Sequence, residues 1–289
     1  MKKVLLGIML SVILLSFSHL ATAQAAPGSP DDQLLQAAGN GDTATVQQLL
    51  AKGANIEAKN ARGFTPLILA ALRDKSDVVK LLLAKGANIE ARAKYDDTAL
   101  MRVAASGNPA MVKLLVEKGA NIEARDNDGD TALISAAFFY KIEVVKLLLQ
   151  KGANIEAKDS QGNTALILAA HNGHADLETL LLDKGANIEA RNNNGETALI
   201  SAAGSYSENT GDVGRLLVGK GANVNAADSN GDTALMWATI QGKTELVKAL
   251  LDKGANVDAK DVDGHTALGR AFIGNRTDLV NLLQAKGAH

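Results

Sequence analysis

The chain contains no cysteine. That excludes disulfides, thiol nucleophiles and cysteine-bound zinc, so the fold rests on packing alone. Aromatic residues make up only 3% of it. A core built on large rings is excluded, and Leu, Ala, Ile and Val must fill it. Histidine is scarce, and after residue 23 it is confined to His171, His174, His265 and His289. His171 and His174 are three apart, but Gly173 between them is expected to end a helix. No glycine-rich phosphate loop follows a strand-like run. These absences together argue against an enzyme, a metal site or a bound cofactor. A basic excess is also missing: the net charge is −2, which argues against nucleic acid as a general partner.

What is present begins with a leader. Lys2 and Lys3 precede an apolar run from Val4 to Phe17, and Ala21-Thr22-Ala23 supplies the small residues read by signal peptidase. The run is short for a bilayer span of about 20 residues. We therefore expect residues 1–23 to be a cleaved signal peptide, with Ala23-Gln24-Ala25 as a second cleavage site. No cysteine follows to take a lipid. The mature chain is then expected in the periplasm or secreted, with no membrane segment. Residues 24–30, which include Pro27-Gly28-Ser29-Pro30, read as a linker.

The rest is periodic. Lys-Gly-Ala recurs with its glycine at Gly53, Gly86, Gly119, Gly152, Gly185, Gly221, Gly254 and Gly287. The interval is 33 residues except before Gly221, where it is 36. Thr-Ala-Leu or Thr-Pro-Leu begins at Thr65, Thr98, Thr131, Thr164, Thr197, Thr233 and Thr266, with the same single extension of three. Two markers in one register establish a tandem array. Each unit reads as two helices and a turn. In the second unit Thr65 is an N-cap and Pro66 takes the first helical position. Leu67 to Ala71 form a short first helix. A second helix from Asp77 carries Val78, Val79, Leu81, Leu82 and Leu83 and ends at Lys85 and Gly86.

The period of 33, the Thr-Pro-Leu opening at Thr65 and the Gly-Ala-Asn-Ile-Glu-Ala closing at Gly86 resemble the ankyrin repeat. The resemblance covers Asp31 to His289 and implies an all-α repeat solenoid of stacked helix–turn–helix units joined by β-turn loops. We divide it into 31–58 as N-terminal cap, 59–91, 92–124, 125–157, 158–190, 191–226 with the insertion, 227–259, and 260–289 as C-terminal cap. The histidine usual in the family three residues after the threonine is absent. Ile68, Met101, Ile134, Ile167, Ile200, Met236 and Gly269 stand there instead, so apolar contact is expected to replace its hydrogen bonds in all but the last unit.

The resemblance also implies a protein partner bound along the turn tips and the first-helix, concave face by a monomer. Carried onto this chain, those positions hold Phe64, Leu72, Arg73, Tyr95, Phe138, Phe139 and Tyr140 in the second to fourth units. Tyr140 replaces a glycine at the inter-helix loop. Aromatic residues beside arginine are common anchors of binding energy, so these residues are the candidate partner-binding set. Tyr206, in the three-residue insertion of the sixth unit, joins them. Trp237 and Phe272 are expected in the core. Asp126-Asn127-Asp128-Gly129-Asp130 resembles a calcium loop only superficially, because its glycine is fourth rather than sixth. The lysines before each glycine, and Glu57, Glu90, Glu123, Glu156 and Glu189, form parallel ladders read as structural. The reading is a non-catalytic scaffold that stabilises or regulates a periplasmic protein. Its alternatives are an immunity module against a toxin or hydrolase and a secreted effector engaging a host protein.

Overall fold

A computed structural model describes residues 28–207 and 209–289; the expected signal peptide lies outside them. Among the described residues there are sixteen helices, two in each of eight units. Their first and second helices are α1 Pro30–Asn40 and α2 Thr43–Ala51, α3 Pro66–Leu72 and α4 Ser76–Ala84, α5 Ala99–Ser106 and α6 Pro109–Glu117, and α7 Ala132–Phe138 and α8 Ile142–Gln150. The array continues with α9 Ala165–Asn172 and α10 Ala175–Asp183, α11 Ala198–Gly204 and α12 Thr210–Gly219, α13 Ala234–Gln241 and α14 Thr244–Asp252, and α15 Ala267–Ile273 and α16 Thr277–Ala285. An isolated antiparallel bridge joins Ala227 and Thr233. Ser29 and Pro30, at the end of the expected linker, already cap and open α1.

From the second unit on, the recurring threonine sets where the first helix starts. Its hydroxyl accepts from the backbone N–H three residues on, at 3.3 Å for Thr65 and 3.4 Å for Thr98. The same bond forms in every later unit. The second helices end in Schellman closures: Gly86, at φ 89°, donates to Leu83 O while Ala87 donates to Leu82 O. The residues standing in the usual histidine position are buried in all but the last unit, from Ile68 at 0% to Met101 at 3% exposure. Side-chain packing therefore occupies a layer that a polar ring would have needed to satisfy with hydrogen bonds.

Three ladders tie neighbouring units together. At the turn tips, backbone N–H groups donate across units, as Ser160 does to Asp128 O at 2.8 Å and Asn193 to Gln161 O at 2.9 Å. The acidic ladder caps the following unit: Glu57, Glu90, Glu123, Glu156 and Glu189 each accept from an asparagine N–H one unit on, at 2.7 Å. A cation two residues beyond each glutamate donates the opposite way, to a carbonyl of the following unit, as Lys59 does to Arg92 O and Lys158 to Arg191 O, both at 2.8 Å. The glutamates thus serve as acceptors inside the array and are not an open anionic stripe. Adjacent first helices pack more extensively than adjacent second helices, so the array bends towards the first-helix side and makes that side concave.

Candidate functional site

Helical periodicity decides which side chains reach the concave face. In α3, Pro66, Leu67, Ile68, Ala70 and Ala71 are buried, whereas Leu69 and Leu72 are half-open. The fourth and seventh residues after the threonine therefore lie on one face, as i and i+3 positions must. The seventh keeps some exposure in every unit with the threonine, while Ser135, Leu168 and Ser201 at the fourth are buried. The residue before the threonine lies at the foot of the same stripe. Most units are bland in these columns, but a few carry polar or aromatic residues.

Two units build a charged cluster there. In unit three the Asp97 carboxylate pairs with Arg102 Nε, and the Arg102 guanidinium lies 5.0 Å from the centre of the Phe64 ring. In unit eight Arg270 pairs with both Asp232 and Asp261, and its guanidinium lies 5.8 Å from the Trp237 ring. Burial opposes ionisation of Asp261, but the bonds from Arg270 and His265 hold it down to about 2. Asp130, in unit four, has no such partner. Burial pushes it up to about 8, and Asp126, Asp159 and Asp128 add to the push. Asp126 is itself raised by burial.

The structure separates the sequence-predicted anchors. Phe138 and Phe139 are half-buried and meet edge to face, their ring centres 5.1 Å apart. Phe138 also packs against Ile134, Ala157 and Leu168. Tyr140 follows them in sequence but turns to the next unit, stacking on His174 at 4.1 Å and donating its hydroxyl to Asp176 at 2.5 Å. It sits in the inter-helix loop at φ 56°, the conformation that glycine takes at Gly107 and Gly173. Leu72 is half-buried and Arg73 exposed; they stand two units away from the phenylalanines, about 20 Å at helix-packing distances. Tyr95 is exposed at a turn tip, where its carbonyl accepts from Asn127.

Three expectations are corrected. Phe64 is not an open anchor: it is 5% exposed and lies beneath Arg102. Trp237 is only half-buried, because the fourth position after the threonine faces the groove. Phe272 is 55% exposed. Its column is filled by buried Ala71, Ala104 and Ala137 elsewhere, where the following unit covers it.

The insertion is anchored rather than loose. Lys243 Nζ reaches from unit seven to Ala202 O, Ser205 O and Thr210 Oγ1 at 2.6–2.7 Å. Gln241 donates to Gly204 O, and Ser205 donates to His171 O. Tyr206 stays 77% exposed. Sequence reasoning missed these buried polar contacts, and it missed a shallow groove of about 590 Å³ lined by Ile240, Val262, Arg270 and Ile273. Neither stood out in the sequence: Lys243 shares its column with Lys75, Lys141 and Arg276, and Ile240 shares its own with Leu72 and Ile273.

A family profile described as ankyrin repeats (3 copies) matches residues 34–126, 91–159, 136–228 and 205–289. The chain belongs to the ankyrin-repeat family. Ankyrin repeats generally mediate protein–protein interaction and are typically non-catalytic, which supports a binding scaffold. No curated protein matches the chain. Among the described residues no helix is long and apolar enough to cross a membrane.

Proposed function

We propose that this ankyrin array is a non-catalytic, monomeric scaffold, exported to the periplasm, that stabilises or regulates a protein partner held on its concave face. The observation that carries this reading is the pair Phe138 and Phe139. They are half-exposed on the open face of a central unit, where the Phe138 column holds Leu72, Ala105, Gly204, Ile240 and Ile273 in five others and no other unit places a phenylalanine, tyrosine or tryptophan in either column. Aromatic rings that keep accessible area beside a polar rim are the usual centre of a protein interface. Export rests on the basic, apolar and small-residue pattern of residues 1–23.

Affinity capture from a periplasmic extract tests the reading. The wild-type chain is expected to retain a defined protein, and Phe138→Ala with Phe139→Ala to lose it while keeping the same circular dichroism. Val262→Ser with Ile273→Ser serves as the comparison, since it alters the other apolar groove. Retention undiminished by the phenylalanine changes would overturn the assignment of the face. Accumulation of the chain in the cytoplasm, with the leader uncleaved, would overturn the assignment of the compartment.

A further inference from the structure

The concave face repeats one chemical arrangement, and in one place it is incomplete. Asp97 takes an arginine from the fourth position after the threonine of its own unit, Arg102. Asp232 takes one from the same position of the following unit, Arg270. In both cases the guanidinium also covers an aromatic ring, Phe64 or Trp237. Asp130 occupies the same column as Asp97 and Asp232. The two positions from which an arginine could reach it hold Ser135 and Leu168.

The missing charge is only partly supplied. Asp130 makes no ion pair among the described residues, and the nearby carboxylates of Asp126, Asp128 and Asp159 add to its negative field. Arg125 is close, but its Nη1 is committed to the carbonyls of Gly129 and Lys158. The adjoining site is short of donors too. Asp97 is 5% exposed, and its Oδ1 is buried with no hydrogen-bond partner. Ser135 is short where Arg102 and Arg270 are long, so its unit places no guanidinium beside Asp130, and Phe138 lies about one helical turn beyond Ser135 along α7.

We propose that the open face of units four and five seats an arginine side chain presented by a protein partner, with Asp130 as its counter-charge and Phe138 packing its methylene stem. This rests on the protein-binding reading and makes it specific. Arginine suits the seat better than lysine. Its planar fork can hold a carboxylate through two bonds while its face lies on an aromatic ring, as the chain's own Arg102 and Arg270 lie.

The probe is N-acetyl-arginine amide, titrated into the full mature chain and followed by NMR at the Phe138 ring and the Asp130 carboxyl carbon. Saturable shifts are expected at both, with N-acetyl-citrulline amide, the neutral isostere, giving none. Asp130→Asn should abolish the shift at Phe138. Ser135→Arg should supply the guanidinium from within, lower the Asp130 titration point and block the probe. No saturable shift in the wild type, equal shifts with the citrulline compound, or an Asp130→Asn chain that binds as well as the wild type would each overturn the proposal. If Asp130→Asn still captures the periplasmic partner while Phe138→Ala with Phe139→Ala does not, the arginine seat fails and the scaffold reading stands.

Discussion

Replacing Glu178 with valine is expected to stabilise the array, and to do so increasingly as pH rises. Glu178 lies in α10 at 0% exposure, and neither carboxyl oxygen has a hydrogen-bond partner. Its column holds Val79, Val112, Val145 and Val247 in other units, each 0% exposed. Burial alone pushes the carboxyl up to about 9, from an ordinary value of 4.5. Between those two values the unfolded chain has released the proton and the folded chain keeps it. The folded state then binds more protons, so stability falls as pH rises. At about 1.4 kcal/mol per unit, the loss is about 3 kcal/mol at pH 7 and about 6 kcal/mol by pH 9. Below pH 4.5 only the burial of a neutral, unsatisfied carboxyl remains, about 1–3 kcal/mol. Urea unfolding of the wild type and of Glu178→Val, from about pH 5 to about pH 8.5, measures the difference directly. The gap should widen steadily across that range. A gap independent of pH, or a valine variant less stable than the wild type at neutral pH, would refute the account.

Three further outcomes follow from the same contacts. Thr131→Ala should destabilise the array by about 1 kcal/mol in thermal or urea melts, with Thr131→Ser close to wild type, because the buried hydroxyl caps α7. Arg102→Met should destabilise more than Asp97→Asn with Arg102→Met together, by about 2 kcal/mol or more, since the single change strands a buried carboxylate; equal stabilities would remove the pair from the account. Lys243→Met should release the inserted loop, seen as faster amide exchange at the backbone N–H groups of Ser205 and Ser207 with little change in α7, because three oxygen acceptors lose their donor.

The fold was legible because its signal was repeated. Thr98 and Gly119 each say little alone, but seven copies of the first and eight of the second, in one register, identify the family and place nearly every helix. The face was less legible. Phe64 read as open because the residue before the threonine is polar in the other units, and only the position of Arg102 above it shows why a ring belongs there. Phe272 read as core because the apolar character of its column was visible and the covering neighbour was not. Asp130 read only as part of an ordinary turn: a carboxylate there is unremarkable until the arginines serving its two counterparts are placed in space. Glu178 was the clearest missed signal, a charged residue in a valine column.

Glu178 also bears on how the array behaves when pulled. A solenoid loaded along its axis carries tension in series, each unit passing it to the next through its own contacts. The turn-tip ladder runs unbroken from unit two to unit eight, so it spreads the load along the array. The second-helix layer is not uniform. After α10, with its stranded carboxyl, comes α12, which holds Gly211, Gly214 and Gly219, and helix-interior glycine costs about 1 kcal/mol relative to alanine. Gly214 is fixed there, since a Cβ would lie 2.7 Å from Leu246. The junction of units five and six is therefore expected to part first under force, leaving units one to five, with Phe138 and Phe139, folded.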